Sequence, residues 1–589
     1  MVDRTLITTA DIRTWPEDKK EPVLFLGEWC RRHSLRERWE GMDAKVAPYH
    51  WDDREQLHSD YKYLSNVYED ILSELSKDLN KLHGKQYSQR YWRIFIGPWL
   101  GCFVQVVFDR WVMLDYVFNN YKIHKLYTSS ELSEQNVPID MRQFTDMMVS
   151  DLWNEAIYKQ ISEIIKPDIL CKKDNGFSFE EVSRNSKKQP VLRNYLYKFI
   201  NFLSRLRCKK DKYFFIATYL PFFSEMYLNI KLGQFPRYWK SADIQKTKIN
   251  NSKRYSLAKN INSDSDSFKS ILRVLIPRQI PSAYVESYEI LNDELKRLNW
   301  PLAPEVIFTS NSFYSDDLFK YWAASKCENG SKLIIGQHGG LFNMTKFSFL
   351  EEHQHQVSDA WFSWEAKINS PGSKVSIGMF HHSINGKVRH DKKGGAILVE
   401  LKIPRYSFHL NAVPVSSQWL SYFNDQTVFV RSLPYDIQSK LTVRLFCKDY
   451  GWDQLQRWTE EFPNISIDKG SEKFRKVVSK SRIFIGTYNA TTYLEVFNWN
   501  IPTILFWNKN HWELEKDAEV QFKELELVGV FHNSPESAAI HLANIWNDVD
   551  NWWYSDSVQM AVKGFCHIYA HNTKNQVDRM KFCIKSAHV

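Results

Sequence analysis

Residues 482–507 read RIFIGTYNATTYLEVFNWNIPTILFW, and this stretch decides how the rest of the chain is interpreted. It opens with an apolar strand, IFI, that stops at Gly486 and is followed by hydroxyl and amide side chains before the apolar sequence YLEVF. A strand, a glycine exit and a helix start in this order predict one unit of a parallel α/β sheet. The free N–H groups of a starting helix, with neighbouring hydroxyls, favour a bound anion. We therefore predict an anion site formed by Gly486, Thr487, Asn489, Thr491 and Thr492.

Glu495 follows about one helical turn after this hydroxyl-rich segment. Its carboxylate is placed either to hold a ribose hydroxyl or to cap the turn. The segment differs from a Walker loop, because no GxxxxGK[ST] sequence occurs in the chain.

Short apolar runs alternate with longer amphipathic stretches over most of the sequence. Runs at residues 23–27, 214–220, 305–310 and 332–340 are typical of strands, and a second series of runs begins near residue 394. Repetition of strand and helix predicts mainly parallel sheets covered by helices. We expect two tandem Rossmann-like α/β domains, residues 1–385 with helical insertions and residues 386–589, with a cleft between them.

Composition excludes several classes of protein. Of 589 residues, 43% are hydrophobic and 25% are charged, which is ordinary for a globular chain. The net charge of +9 is not concentrated in a basic arm, which argues against nucleic-acid binding and leaves weak attraction to an anionic membrane or substrate. Eight cysteines without CxxC spacing favour a reducing compartment, and no signal-peptide core follows the N-terminus, so we expect a cytoplasmic protein. The apolar run at residues 94–108 is too short to span a bilayer and contains Gly, Pro and Gln, so it predicts a buried helix.

The sequence GQHGG, residues 336–340, directly follows the apolar run KLII. Gly339 and Gly340 allow the backbone to approach a ligand closely and leave the imidazole of His338 at the end of the strand. A histidine there can act as a general base or, when charged, stabilise a departing phosphate. The alternative is a loop histidine bonded to its own backbone.

Candidate residues for an acceptor lie in the N-terminal third of the chain. Glu28, in FLGEWC, follows the first strand run, where a carboxylate can remove the proton of an acceptor hydroxyl. Asp52, Asp53 and Arg54 in YHWDDR form either an acceptor site or a salt-bridged turn. His83 lies at a helix boundary.

Arg444 and Lys448, in RLFCKDYGWD, follow a strand run of the C-terminal half. Their charges can neutralise a phosphate or a sugar carboxylate, with Asp449 orienting them, or can form a solvated cluster. No set of metal ligands is recognisable in the sequence, and no DxD pair is placed like a sugar-nucleotide metal site.

Together these motifs carry a resemblance that covers nearly the whole chain. The segments VLFLGEWC, APYHWDDR, IIGQHGG, VRLFCKDYGWD and IGTYNATTYLE are similar to a family of transferases encoded among surface-polysaccharide and O-antigen biosynthesis genes. The arrangement resembles glycosyltransferases of the GT-B architecture. More distantly, GQHGG and GTYNATTYLE resemble loops of teichoic-acid polymerases and capsule Kdo transferases, whose donors release CMP. Where many of those relatives have a His-Pro pair, this chain has Phe446 and Cys447, so any phosphate role passes to Arg444 and Lys448.

The resemblance implies transfer of a sugar, of the nonulosonic or Kdo type, from a CMP-activated donor to a glycan, lipid-linked or protein acceptor. The donor is expected on the C-terminal domain and the acceptor on the N-terminal domain, with Glu28 or His338 as the base. No metal or other cofactor and no nucleic acid are expected, and the enzyme is expected to work in lipopolysaccharide biosynthesis at the inner membrane. Open alternatives are a CDP-polyol phosphotransferase, a UDP- or GDP-sugar-dependent glycosyltransferase, a UDP-sugar epimerase and a non-catalytic carbohydrate-binding protein.

Overall fold

A computed structural model describes residues 2–129, 136–173, 211–258, 266–366, 374–381 and 386–586. Within these residues the strands form two five-stranded sheets and one six-stranded sheet, in which every strand pairing is parallel. Parallel sheets need crossover connections and are covered on their faces by helices, which accounts for the alternating pattern of the sequence. We call them the N-terminal, central and C-terminal sheets.

The N-terminal sheet has the order β3-β2-β1-β4-β5. Its strands are β1 (Arg4–Ile7), β2 (Val23–Phe25), β3 (Ala44–Val46), β4 (Ile123–Ser129) and β5 (Leu170–Lys173). Its helices are α1 (Arg36–Trp39), α2 (Arg54–His83), α3 (Gln89–Asn120), α4 (Met141–Met147) and α5 (Asp151–Ile165). Helix α2 begins where Asp53 accepts hydrogen bonds from the N–H groups of Glu55 and Gln56, and it ends at Gly84 in the left-handed conformation.

Helix α3 contains the apolar run that the sequence predicts to be buried. Among the described residues it is the helix long and apolar enough to cross a membrane, but 94% of its most apolar window is buried inside the protein. It packs against α2 and against helices of the central sheet. The prediction of a buried helix at residues 94–108 is therefore confirmed.

The central sheet has the order β10-β9-β8-β7-β6. Its strands are β6 (Tyr213–Phe215), β7 (Val306–Thr309), β8 (Lys332–Gly336), β9 (Ala360–Ser363) and β10 (Lys374–Ser376). Helices of this part of the chain are α6 (Phe222–Lys231), α7 (Asn251–Tyr255), α8 (Ser267–Gln279), α9 (Tyr288–Leu298), α10 (Ser312–Ser315), α11 (Asp317–Glu328) and α12 (Phe349–Val357).

The C-terminal sheet has the order β13-β12-β11-β14-β15-β16. Its strands are β11 (Gly395–Val399), β12 (Leu441–Arg444), β13 (Ser466–Asp468), β14 (Ser481–Gly486), β15 (Thr503–Phe506) and β16 (Phe531–His532). Its helices are α13 (Gln418–Arg431), α14 (Tyr435–Gln438), α15 (Gln454–Glu461), α16 (Phe474–Ser479), α17 (Thr491–Asn498), α18 (Lys516–Leu527), α19 (Pro535–Ile545), α20 (Val549–Trp553), α21 (Asp556–Tyr569) and α22 (Gln576–Ser586).

The end of the chain returns from the C-terminal sheet to the central sheet. The N–H of His571 donates to the carbonyl of Trp364 at 3.0 Å, and the N–H of Met379 donates to the carbonyl of His571 at 2.7 Å. Helix α22 then packs against α6. The last two helices thus belong in space to the central sheet as much as to the C-terminal one.

The α/β class with tandem Rossmann-like parallel sheets is confirmed. The structure adds that residues 1–385, predicted as one domain, contain both the N-terminal and the central sheet. Strand lengths also differ from expectation: the run at residues 214–220 is a strand only as far as Phe215, and the run at residues 332–340 only as far as Gly336. The domain boundary at residues 385 and 386 stays a prediction.

The loop between β11 and α13 ties the N-terminal sheet to the C-terminal sheet. Arg405 of this loop is buried, forms an ion pair with Asp151 at 2.6 Å and donates to the carbonyl of Trp29. The hydroxyl of Tyr406 donates to the same carboxylate at 2.5 Å. Burial raises the pKa of Asp151, but the charge of Arg405 outweighs it and leaves that pKa below its ordinary value.

We expect Arg405→Met to lower the free energy of unfolding by about 3 kcal/mol or more, because it leaves Asp151 without its cation. We also expect the variant to reverse the direction in which the free energy of unfolding depends on pH. In the native protein the lowered pKa of Asp151 means that stability is present above about pH 4 and is lost as pH falls through the folded pKa. In the variant, burial is opposed only by the hydrogen bonds from the Tyr406 hydroxyl and the Ala10 N–H, so we expect the folded pKa to rise above its unfolded value and stability to be lost as pH rises.

Melting temperature as a function of pH measures both effects. Arg36→Met is the matched control, since Arg36 joins the same two parts of the chain through an exposed ion pair with Glu460 at 2.6 Å. It should change the melting temperature much less. Equal effects of the two variants would contradict the role given to Arg405.

Candidate functional site

Two loops that the sequence singles out meet between the central and C-terminal sheets. The N–H of Gly340 donates a hydrogen bond of 2.9 Å to Oγ1 of Thr491, the first residue of α17. A Cβ atom placed on Gly340 would lie 2.7 Å from the backbone carbon of Ala490 and from the backbone N of Thr491. The turn that follows β8 therefore touches the start of α17 backbone to backbone, which glycine alone permits.

Gln337 fixes the conformation of the turn. Its side chain is buried, its amide Nε2 donates to the carbonyl of Gly339 at 3.0 Å, and its Oε1 accepts from the N–H of Trp364 at 2.9 Å. Gly336, the last residue of β8, leaves no room for a side chain, because a Cβ atom would lie 2.6 Å from Oγ of Ser310. These contacts place His338 at the carboxyl edge of the central sheet, where parallel α/β sheets bind ligands.

His338 lies among aromatic rings. The ring centroids of Phe342, Phe313 and Tyr219 are 5.3, 5.7 and 6.2 Å from that of the imidazole. Its Nδ1 is buried and has no hydrogen-bond partner among the described residues. Burial first, and the neighbouring His381 second, lower the pKa of His338 to about 4. The imidazole is therefore neutral near pH 7.

A second histidine and a carboxylate lie beside Tyr219 and the start of α17. Nδ1 of His381 lies 3.3 Å from Oε1 of Glu495 on α17, and its ring centroid is 5.2 Å from that of Tyr219. A carboxylate beside an imidazole fixes the orientation of the ring. Tyr219 thus contacts both histidines.

The loop that carries Tyr219 has an unusual backbone. Ala217 and Tyr219 have φ angles of 48° and 59°, in the left-handed region that costs free energy for residues other than glycine. The loop is held by a hydrogen bond of 3.0 Å from the N–H of Ser310 to the carbonyl of Ala217. Two strained residues in one short loop indicate that the position of the Tyr219 ring is fixed by its surroundings.

The hydroxyl and amide side chains that follow Gly486 are only partly available to a ligand. The hydroxyl of Thr487 donates to the carbonyl of Val399 at 2.8 Å and lies 2.6 Å from the hydroxyl of Tyr422. Oδ1 of Asn489 accepts from the hydroxyl of Tyr493 at 2.9 Å, whereas its buried Nδ2 has no partner among the described residues.

Thr492 faces Tyr488, with 2.7 Å between the two hydroxyl oxygens. Ala490, at the N-cap of α17, supplies no side-chain hydrogen bond. The side-chain donors nearest the start of α17 are therefore Asn489, Thr491 and Thr492, and the turn at Gly340 packs directly against that start.

Arg444 and Lys448 both carry ion pairs. Arg444 forms an ion pair with Asp468 and donates to the carbonyl of Glu472 at 2.9 Å. Nζ of Lys448 lies 2.9 Å from the carboxylate of Asp146 on α4. Their role in donor binding stays a prediction. In the ranges that the structure describes, no group of three or more His, Cys, Asp or Glu side chains is placed to hold a metal ion.

Glu28 lines a cavity that does not include His338. This cavity of about 510 Å³ lies between the loops of the N-terminal sheet and α13, and its lining includes Glu28, Asp52 and His511. The carboxylate of Glu28 is bound by the guanidinium of Arg31 at 2.6 Å. Burial raises the pKa of Asp52.

The other predicted acceptor residues have structural partners. Asp53 caps α2, and Arg54 forms a bidentate ion pair with Glu513, with both N–O distances at 2.7 Å. Nε2 of His83 lies 2.9 Å from the carbonyl of Tyr284. Arg54 nevertheless lines a second cavity, of about 1080 Å³.

Sequence reasoning missed Tyr219 and His381. Tyr219 belongs to an apolar run that favours a continuous strand, and nothing in its composition indicates a left-handed turn. His381 follows the short edge strand β10 and meets Glu495 across more than a hundred residues of chain.

The parallel sheets and the loops that meet at their carboxyl edges define the chain as an α/β protein with tandem Rossmann-like sheets. The chain belongs to the LIC12162 family of transferases, whose family model matches residues 4–582. The resemblance of the sequence motifs to a family of transferases is thereby confirmed. No curated protein matches the chain significantly in sequence.

Three solved structures that are similar to the chain share little sequence with it. MurG of Acinetobacter baumannii is 12% identical, with 64% of this chain and 99% of that chain covered and a TM-score of 0.32. The wall teichoic acid polymerase TagF is 10% identical, with 67% and 95% covered and a TM-score of 0.32. The glycosyltransferase SnogD from Streptomyces nogalater is 11% identical, with 64% and 97% covered and a TM-score of 0.32.

Gly340→Ala tests the contact between the two loops. The added methyl group meets backbone atoms that cannot move independently, so we expect a loss of about 1–3 kcal/mol in the free energy of unfolding. Gly339→Ala is the matched control, because a Cβ atom there would lie 3.5 Å from the ring of Phe342, an ordinary contact. Thermal unfolding measures the difference, and equal melting temperatures for the two variants would contradict the close approach.

The lowered pKa of His338 can be measured directly. We expect the Cε1 proton resonance of His338, assigned by its absence in His338→Gln, to titrate near pH 4. Because the unfolded chain binds the proton near pH 6.5, the native protein should lose stability relative to His338→Gln as pH falls between these values. A midpoint near 6.5 would show that the imidazole is solvated.

Proposed function

We propose that the chain is a glycosyltransferase of the GT-B type that moves a sugar from a nucleotide-activated donor to a surface glycan or glycoconjugate. One observation carries the proposal: the contact of Gly340 with Thr491 brings the turn that carries His338 against the start of α17. A nucleotide phosphate at the helix start would receive backbone N–H groups and the positive end of the helix dipole. The membership of a transferase family and the two facing sheets agree with this assignment.

In the proposed reaction a hydroxyl oxygen of the acceptor attacks the anomeric carbon of the donor sugar. The new C–O bond forms as the bond from that carbon to the phosphate oxygen breaks, and the nucleotide leaves with the electron pair. The acceptor proton passes to the neutral imidazole of His338. Donors at the helix start stabilise the negative charge on the departing phosphate without a metal ion.

His338 is favoured over Glu28 as the base. The turn that carries it touches the start of α17, and its Nδ1 has no hydrogen-bond partner among the described residues. The carboxylate of Glu28 is bound by Arg31 and lines another cavity. His381 and Glu495 form an oriented pair that can hold the donor ribose or phosphate.

The cavity beside Arg54 is proposed for the acceptor. It contains the side chains of Lys62, Lys346 and Lys516, and Lys346 lies in the loop that continues from the Gly340 turn. Six cationic and four glutamate side chains line this cavity, and the excess of cations suits an anionic glycan or a lipid-linked phosphate. We propose that the acceptor belongs to lipopolysaccharide or O-antigen biosynthesis and is met on the cytoplasmic side of the inner membrane.

The nucleotide is proposed to be CMP, attached to a Kdo-like or nonulosonic sugar. Thermal unfolding with CMP, CDP, UDP, GDP and dTDP tests this choice, because a ligand that binds only the folded protein raises the melting temperature. We expect the largest shift with CMP. A larger shift with CDP would favour polyol-phosphate transfer, and a larger shift with UDP or GDP would favour another sugar donor. If no nucleotide raised the melting temperature, the proposal would be contradicted.

The double variant Thr491→Ala, Thr492→Ala tests whether the nucleotide phosphate binds at the start of α17. Loss of two hydroxyl donors at a phosphate should weaken binding about tenfold or more. Thr459→Ala on α15 is the control, since its exposed hydroxyl bonds the carbonyl of Leu455 on its own helix. Unchanged affinity in the double variant would exclude the start of α17 as the phosphate site.

A further inference from the structure

Helix α6 has an apolar face that points into solvent. Phe223, Tyr227 and Ile230 are spaced at i, i+4 and i+7 and therefore share one side of the helix. Their exposed fractions are 82%, 49% and 60%. The opposite side is the one that packs on the protein, with Leu228 and Asn229 buried. A helix on the surface of a globular protein normally has the reverse pattern.

Helix α22 extends this face. Lys231 at the end of α6 forms an ion pair with Asp578 of α22, so the two helices lie side by side. Phe582, one turn after Asp578, is 72% exposed. Phe235, just beyond α6, is 51% exposed. We call Phe223, Tyr227, Ile230, Phe235 and Phe582 the α6–α22 patch.

The charges around the patch are mainly positive. Helix α22 carries Arg579, Lys581 and Lys585, and its single carboxylate, Asp578, is bound to Lys231. The single carboxylate of α6, Glu225, accepts a hydrogen bond from the hydroxyl of Thr218. Burial raises the pKa of Glu225 to about 7. The surface therefore combines large apolar side chains with cations and has both carboxylates engaged.

We infer that the α6–α22 patch docks the protein on an anionic membrane. Apolar side chains enter the boundary between headgroups and acyl chains, while lysine and arginine bind anionic headgroups. The same combination fits an anionic lipid surface better than a protein surface, since a protein partner would have to supply a large apolar face and a ring of carboxylates together.

The patch lies next to the candidate active site along the chain. Helix α6 begins at Phe222, three residues after Tyr219, whose ring contacts both His338 and His381. Docking through α6 would place the cleft near the headgroups, where a lipid-anchored acceptor is presented. This link to the acceptor rests on the proposed function, whereas the docking itself does not.

Co-sedimentation of the full-length protein with vesicles tests the inference. We expect binding to vesicles of phosphatidylethanolamine with phosphatidylglycerol, and weaker binding to vesicles of phosphatidylcholine alone. The triple variant Phe223→Ser, Ile230→Ser, Phe582→Ser should lower the partition coefficient about a hundredfold or more, because three large apolar side chains no longer leave water. Lys581→Glu with Lys585→Glu should lower it about tenfold or more on the anionic vesicles and much less on phosphatidylcholine.

The control replaces the same number of exposed apolar side chains elsewhere. Val520, Leu527 and Ile540 are 59%, 70% and 60% exposed on α18 and α19, and their change to serine should leave vesicle binding unaltered. Equal binding by the patch variant and the wild type would overturn the inference, as would failure of the wild type to bind anionic vesicles. It would also be overturned if sedimentation velocity showed a dimer that the patch variant dissolves and that vesicles do not displace. These measurements need no nucleotide, so their failure leaves the donor-binding result intact.

Discussion

The close approach of Gly340 to Thr491 is the constraint on which the candidate site depends. It requires a residue without a side chain, a strand that ends at Gly336 and a helix whose first turn begins where β14 has stopped. The carboxyl edges of two parallel sheets then face each other across one pair of loops. In that position an imidazole from one sheet and the N–H groups of a helix from the other can act on the same small molecule.

A second tie joins the N-terminal sheet to this pair. The loop after β11 inserts Arg405 between Asp151 and Trp29, and farther along it the N–H of Leu410 donates to Oε1 of Gln105 on α3 at 2.6 Å. Buried charged and polar contacts add little net stability but select one arrangement over others, because a mismatched arrangement would leave them unpaired. The three sheets therefore have a defined mutual geometry that hydrophobic packing alone would not specify.

The sequence predicted local elements better than their assembly. Apolar runs located the strands around Val306 and Ile483, and the family motifs identified a transferase. The number of sheets could not be predicted, since alternation of strand and helix does not show which parallel strands pair across long crossovers. The Tyr219 turn was missed because a left-handed tyrosine depends on tertiary contacts. The same limit applies to Arg54, whose partner Glu513 lies far along the chain.

The return of the last helices to the central sheet has a mechanical consequence. The chain passes between the central and C-terminal sheets twice, once after His381 and once on its return at His571. The two segments are hydrogen-bonded to each other, because the N–H of Met379 donates to the carbonyl of His571. Two neighbouring covalent connections at one side oppose sliding and separation of the two sheets, and the backbone bridges of Thr345 with Leu514 and of Ser348 with Asn411 join the same parts of the chain at other points. Relative movement of the central and C-terminal sheets would therefore have to break several backbone contacts together.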